Sequence, residues 1–251
     1  MVEENFIKMP KNLIMSKEGG IIMKLTYGAE ALGVLLYIET FGMYLGDNNH
    51  MFTFSEMIET LGLKPTKGKG KTIDKFRTSL VELQELGILS NSNKNLSKIS
   101  PKDVITLKIN YSFDKNEYGE DSLWFKMFYT DIETICSKAK PNLIIKCLVA
   151  DTLIRARQVH SSSESKGRVE ATTGVGSRPE CSQMSWSFVS NSLCSVIKSH
   201  NTWDKIINEL EYIKLIYTTV KLEEDGTKSS KIYAYKRKDL NWVNNFKNPK
   251  P

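Results

Sequence analysis

One order of elements is written twice along this chain, and that repeat constrains the fold more than any single motif. Helical periodicity is clearest from Thr72 to Leu86, where Ile73, Phe76, Leu80 and Leu83 recur at three- and four-residue spacing and share one face. Gly87 then ends the helix, because glycine accepts the left-handed backbone that helix C-termini favour. Ile88 and Leu89 open an extended segment, the polar loop SNSNKNLSKISPK follows, and Ile105, Leu107, Ile109 and Tyr111 alternate along the return, so this stretch is a hairpin. Upstream, Thr26 reads as the cap of a helix through AEALGVLLYIETF, and TFSEMIETLGL as a short second helix with a Ser or Thr cap. The first half therefore runs helix, short helix, lysine-rich turn, helix, hairpin.

The same order returns near the C-terminus. PNLIIKCLVADTLIRARQV is a helix with Pro141 in its first turn, where a missing N–H costs nothing. SWSFVSNSLCSVI is a shorter helix, NTWDKIINELEYIKLI a third, and IYTTVKL, EEDG and KIYAYKR form a hairpin. A shift of 127 positions lays Trp203 on Phe76, Ile207 on Leu80, Leu210 on Leu83 and Leu215-Ile216 on Ile88-Leu89. Each unit is preceded by a short extended candidate, Phe6 to Pro10 and Phe125 to Tyr129. The polar stretch FDKNEYGED sets a boundary that divides the chain into residues 1–118 and 119–251. From His160 to Gln183 the chain is rich in Ser, Gly and Thr and too polar for a core, so it reads as a mobile surface insertion. The expected class is α+β, mainly α: two tandem winged helix-turn-helix domains, each with a two-stranded wing.

The stretch KPTKGKGKTIDKF at Lys64 to Phe76 raises a nucleotide-binding alternative. A phosphate-binding loop needs G-x-x-x-x-G-K-[ST], so that successive backbone N–H groups wrap the phosphates. Gly70-Lys71-Thr72 supplies the end of that pattern, but Pro65 stands where its first glycine belongs and has no N–H to donate. The loop also follows a helix here rather than a buried strand. It reads instead as the turn into a recognition helix, its lysines placed for phosphates beside a DNA groove.

On that reading Lys64, Lys67, Lys69 and Lys71 occupy the first turn, while Lys71, Asp74, Lys75 and Thr78 face outward on the helix opposite its buried stripe. In the second unit Lys198, His200, Asn201 and Thr202 occupy the turn, and Lys205, Asn208 and Tyr212 face outward. Asn208 is a candidate adenine reader and Lys205 a candidate base or phosphate contact. The wings offer Lys94, Lys98 and Lys102 in the first unit, and Lys228, Lys231, Lys236, Arg237 and Lys238 in the second. A single cluster of this kind is also what an ordinary solvated surface carries; corresponding clusters in two repeated units favour a nucleic acid. Phe76, Trp124 and Trp203 read as core rather than as stacking platforms.

A net charge of +6 and a pI near 8.9 fit an acidic partner. The apolar runs are too short to span a bilayer, and no basic, apolar leader opens the chain, so a cytoplasmic protein is expected. Cys136, Cys147, Cys181 and Cys194 stand apart, as do His50, His160 and His200, without zinc-site spacing. No metal, cofactor or catalytic residue is expected, and binding is the expected activity, not catalysis.

With FIKMPKNLI leading into LTYGAEALGVLLYIETFGM and LVELQELGIL, and with WFKMFYTDIETI, NLIIKCLVADTLIRARQ and INELEYIKLI in the second unit, the chain resembles replication initiators of plasmids and phages of low-GC Gram-positive bacteria, together with DnaD-like replisome organisers. That resemblance covers most of the chain loosely. It implies binding to repeated origin sequences in double-stranded DNA and recruitment of host helicase-loading proteins, with no catalytic residue carried over. A homodimer is a further expectation. A transcriptional repressor, a partition adaptor or a protein-interaction scaffold built from the same modules are the alternatives.

Overall fold

Helix α1 (Gly28–Phe41) is apolar on every side, the pattern of a helix surrounded by protein rather than one laid on a surface. In the computed structural model, which describes residues 5–15, 20–111, 124–157, 181–193, 196–222, 228–237 and 240, every residue from Ala31 to Ile38 is buried. The fold is α+β, about half helical, with small antiparallel sheets. None of the helices among the described residues is long and apolar enough to cross a membrane.

Around α1 the first unit adds α2 (Phe54–Thr60) and α3 (Thr72–Glu85). Its strands are β2 (Met43–Gly46), β3 (Asn49–Thr53), β4 (Leu89–Ser90) and β5 (Val104–Ile109), in the sheet order β2-β3-β5-β4. The periodic residues Ile73, Phe76, Leu80 and Leu83 of α3 are all buried, as their spacing requires. The hairpin of β4 and β5 forms with Leu89 opposite Ile109. A hairpin of β2 and β3 is an addition to the sequence reading. Asp47 and Asn48 both take positive φ there, the requirement of a tight turn whose twist matches its strands. Thr26 does not cap α1: its hydroxyl donates to Glu82 Oε1 at 2.5 Å, and Tyr27 holds the cap position.

The second unit is built from α5 (Ile144–Arg157), α6 (Trp186–Leu193) and α7 (His200–Tyr212), with a short 3-10 turn at Pro141–Leu143 before α5. Strands β7 (Cys181–Met184), β8 (Tyr217–Leu222) and β9 (Lys228–Ala234) make a sheet in the order β7-β9-β8. Each sheet thus extends beyond the expected two-stranded wing, the first by β3 and β2 and the second by β7. β3 before α2 pairs with β5, and β7 before α6 pairs with β9 in the same way. Cys181 to Gln183, expected to close the mobile insertion, belong to β7; the rest of that insertion and the 113–121 boundary lie outside the described residues, apart from no more than their neighbours at each end.

The repeat extends to individual hydrogen bonds. Gly87 (φ 73) and Lys214 (φ 61) occupy equivalent positions after α3 and α7. Gly87 N–H donates to Gln84 and Lys214 N–H to Glu211, both at 2.9 Å; Ile88 N–H donates to Leu83 and Leu215 N–H to Leu210, both at 3.0 Å. These are paired helix-stop motifs, each satisfying carbonyls that the helix end leaves free.

The halves meet through equivalent parts. β1 (Phe6–Pro10) pairs antiparallel with β6 (Trp124–Phe128), setting Phe6 opposite Phe128 and Met9 opposite Phe125. α1 packs on α5, each 14 residues long. The two units thus meet through corresponding parts of each, β1 with β6 and α1 with α5. A helix absent from the sequence reading, α4 (Tyr129–Lys138), follows β6 and packs on both α1 and α5. One continuous apolar core joins residues of both units, from Ile7 to Tyr233.

Two features fix this junction. Gly62 has φ 79, and a Cβ there would stand 2.2 Å from the Pro141 carbonyl oxygen, so only glycine lets the two backbones approach so closely. Glu209 of α7, buried, accepts from the Lys140 backbone N–H at 2.9 Å and pairs with Lys140 Nζ at 3.1 Å.

Candidate nucleic-acid interface

The turn before α3 spends its own amides. Gly70 N–H donates to Asp74 Oδ2 at 2.6 Å, and Thr72 N–H to Thr66 Oγ1 at 3.3 Å. Those are N–H groups that a nucleotide-binding loop would turn towards phosphate. The side chains of Asp74 and Thr66 take these two amides instead, while the turn presents its lysine Nζ groups outward. Lys64, Lys67, Lys69 and Lys71 are all exposed.

The outward group expected on α3 divides in two. Lys71, Asp74 and Thr78 lie away from the buried stripe, but Lys75 turns towards α1, with its Nζ 3.3 Å from Glu30 Oε1 and 5.4 Å from the centre of the Tyr27 ring. Glu82, two turns further along that flank, receives the Thr26 hydroxyl. The periodicity that separates buried from outward residues cannot show which flank a neighbouring helix covers. On the opposite flank Arg77 donates through Nε to the Ile99 carbonyl at 2.6 Å, tying α3 to the loop between β4 and β5. Leu96 and Ile99 in that loop are buried, so Lys94, Lys98 and Lys102 stand exposed on an anchored segment. Lys94 Nζ lies 3.8 Å from Asp103 Oδ1.

In the second unit α7 begins at His200, so His200, Asn201 and Thr202 belong to the helix and not to the turn before it. Ser199 is the cap: its Oγ accepts from Thr202 N–H at 3.2 Å and lies 2.9 Å from Thr202 Oγ1. The Thr202 hydroxyl is thus occupied. Asn201, Lys205, Asn208 and Tyr212 form one exposed stripe opposite the buried Trp203, Ile206, Ile207 and Leu210, and Tyr212 is 78% exposed. Among the described residues this stripe has no side-chain partner, and it carries no acid. Trp203 is core: its indole N–H donates to the Tyr233 hydroxyl at 3.0 Å.

Lys198 is exposed just before the Ser199 cap. Lys231 of β9 is held by Asp204 of α7 at 3.6 Å, and Asp204 also meets His200 Nδ1 at 2.7 Å. Lys236 and Arg237 are exposed where β9 ends. The side chain of Lys228 and all of Lys238 lie outside the described residues.

The structure also brings together residues that the sequence reading kept apart. An open cleft of about 600 Å³ lies where the units meet, lined by the start of α1, the turn into α3, the start of α5 and the approach to α7. Lys71, Lys75, Lys146 and Lys198 all line it, with Glu30. Lys146 was not expected at a site. Its one signal is a charge interrupting the apolar run LIIKCLV, which by itself marks only a helix face that is not wholly buried.

Cys136, Cys147 and Cys181 are free thiols, and burial pushes Cys136 and Cys147 up to about 12, away from the reactive thiolate. Arg155 is buried between Asp131, 2.5 Å away, and the rings of Phe128 and Tyr235. Tyr235 donates to Asp151 Oδ1 at 2.5 Å. Burial, and then the Asp131 carboxylate, push Asp151 up to about 7. Comparison with family models, curated proteins and solved structures finds no match for this chain.

Proposed function

We propose that this chain is a sequence-specific double-stranded DNA-binding protein of two winged helix-turn-helix modules, acting as a replication initiator at the origin of a plasmid, phage or other mobile element. The observation that carries the DNA reading is the open stripe of α7. Asn201, Lys205, Asn208 and Tyr212 project from a helix that is second in a helix-turn-helix order and is followed by a hairpin. Asparagine and lysine are side chains that read base edges in a major groove. The strand order β3-β5-β4 repeated as β7-β9-β8, with a helix pair between the first strand and the hairpin, supports a winged arrangement in both units. Exposed lysines before α3 and in the β4–β5 loop supply the phosphate contacts that hold such a helix in register.

The modules have unequal roles in this proposal. α7 reads bases, while α3, whose open face mixes Lys71 and Thr78 with Asp74 and Glu85, contributes mainly backbone contacts through its turn. The initiator role rests on the family resemblance and predicts tandem repeated sites and a helicase-loading partner; a repressor would instead hold a single operator.

The test is a salt series with duplex fragments flanking the protein's own gene, in the presence of competitor DNA. With roughly eight phosphates neutralised, log K should fall against log salt with a slope near −7. Asn208→Ala should cost ~1–3 kcal/mol on the preferred fragment and little on others, because it removes a base contact. Salt-independent binding, or equal binding of all fragments by wild type and variant, would defeat the proposal.

A further inference from the structure

The cleft is lined by corresponding segments of the two units, the starts of α1 and α5 and the approaches to α3 and α7. Lys198 is the equivalent of Lys71 under the shift that relates α7 to α3, and each stands at the entry to its helix. Lys146 and Glu30 are likewise equivalent, each the third residue of a 14-residue helix. A strict repeat of the first unit would place a second acid at position 146 and a further lysine at position 202. The second unit breaks it. Lysine replaces the acid at position 146, and the half-buried Thr202 replaces Lys75. Only Lys75 has an acidic partner, Glu30; Lys71, Lys146 and Lys198 have none among the described residues. Three lysines without an acidic partner, from three chain segments, thus line one open cleft, a concentration of positive charge that favours an anionic ligand.

We propose that this cleft seats the sugar–phosphate backbone of one DNA strand where it passes from one module to the other, with Lys146 and Lys198 sharing phosphates with Lys71. The proposal rests on the DNA-binding reading above and adds a site to it. The cleft is open to solvent, and Leu61, Leu63 and Ile145 add apolar lining suited to deoxyribose. A phosphate track across the junction also explains why the modules are locked by the β1–β6 ribbon and the Gly62–Pro141 contact: the spacing of the lysines has to match a strand of fixed repeat.

The experiment is fluorescence anisotropy with the full chain and the preferred duplex, comparing Lys146→Glu and Asn142→Asp with wild type, Lys205→Glu and Lys138→Glu. Asn142 is exposed on the cleft, so its variant adds charge without disturbing packing, and Lys138 is an exposed lysine outside the cleft. Lys146→Glu should weaken binding about tenfold on every duplex sequence and lower the salt slope by about one, with a smaller loss for Asn142→Asp and none for Lys138→Glu. Neutral methylphosphonate linkages placed singly along each strand should reduce wild-type affinity at one central position and leave Lys146→Glu unaffected there. Weakening by a free nucleoside triphosphate but not by methylphosphonates would overturn the strand proposal and assign the cleft to a soluble phosphate ligand. Wild-type binding by both cleft variants, with Lys205→Glu impaired, would overturn the cleft site while leaving the DNA reading intact. No effect from any variant, Lys205→Glu included, would remove both.

Discussion

Lys214 holds a left-handed backbone at φ 61 where its equivalent, Gly87, holds the same conformation without a Cβ to clash. An L-residue there costs about 1–2 kcal/mol. Lys214→Gly should therefore stabilise the protein by ~1 kcal/mol, raising Tm by about 2–4 °C for a chain of this size, and Gly87→Ala should lower it by a similar amount. Thermal unfolding followed by circular dichroism checks both. A second residue-scale expectation concerns Asp151. Its folded pKa, about 7, stands above its unfolded value of 3.8, so the folded state binds the proton more tightly. That contribution is complete below the unfolded value and is lost as pH rises through about 7. The groups facing Asp151 are Asp131, Arg155 and Tyr235. Wild type should lose stability between pH 5 and pH 8 relative to Asp151→Asn, measured as the difference in urea midpoints; parallel pH profiles would show that Asp151 is ionised throughout.

Among the elements, α1 and α7 illustrate opposite uses of a helix. α1 is enclosed, so truncating it leaves a void that few neighbours can fill: Leu35→Ala should destabilise by ~2–5 kcal/mol. α7 is half-enclosed, and Lys205→Glu on its open stripe should leave stability within about 0.5 kcal/mol of wild type while impairing DNA binding. Calorimetry alongside binding separates the two effects. α3 and α7 themselves were legible in the sequence because each pairs one apolar stripe with a stop signal. The β2–β3 hairpin was less so: its strands are short and its turn, Asp47-Asn48, lacks the usual glycine at the second position. α4 was obscured because the apolar FKMF before it reads as strand, and the helix begins one residue later, at Tyr129.

At the scale of the whole molecule, the two units share a core. Among the described residues β1, which belongs to the first by sequence, pairs only with β6, and α1 packs on α5. Unfolding should therefore be one cooperative transition, with far-UV and near-UV signals coincident and a single calorimetric peak. Two separated transitions would mean that the units are independent. Gly62→Ala, which drives a methyl group into the Pro141 carbonyl, should lower that single midpoint and not split it.

The sequence by itself determined the repeat, the buried stripes of α3 and α7, the hairpins that follow them and the exclusion of a nucleotide loop, because periodicity and turn chemistry are local properties of a chain. It also placed Lys198, Lys205 and Asn208 among exposed residues, since the face opposite an apolar stripe is known once the stripe is. Only the tertiary structure decided that Lys75 faces Glu30, that Lys231 faces Asp204, and that Lys146 joins Lys71 and Lys198 in one cleft. The two ion pairs depend on how α3 meets α1 and how β9 meets α7, and the cleft on how α1 meets α5; no spacing along the chain encodes such contacts.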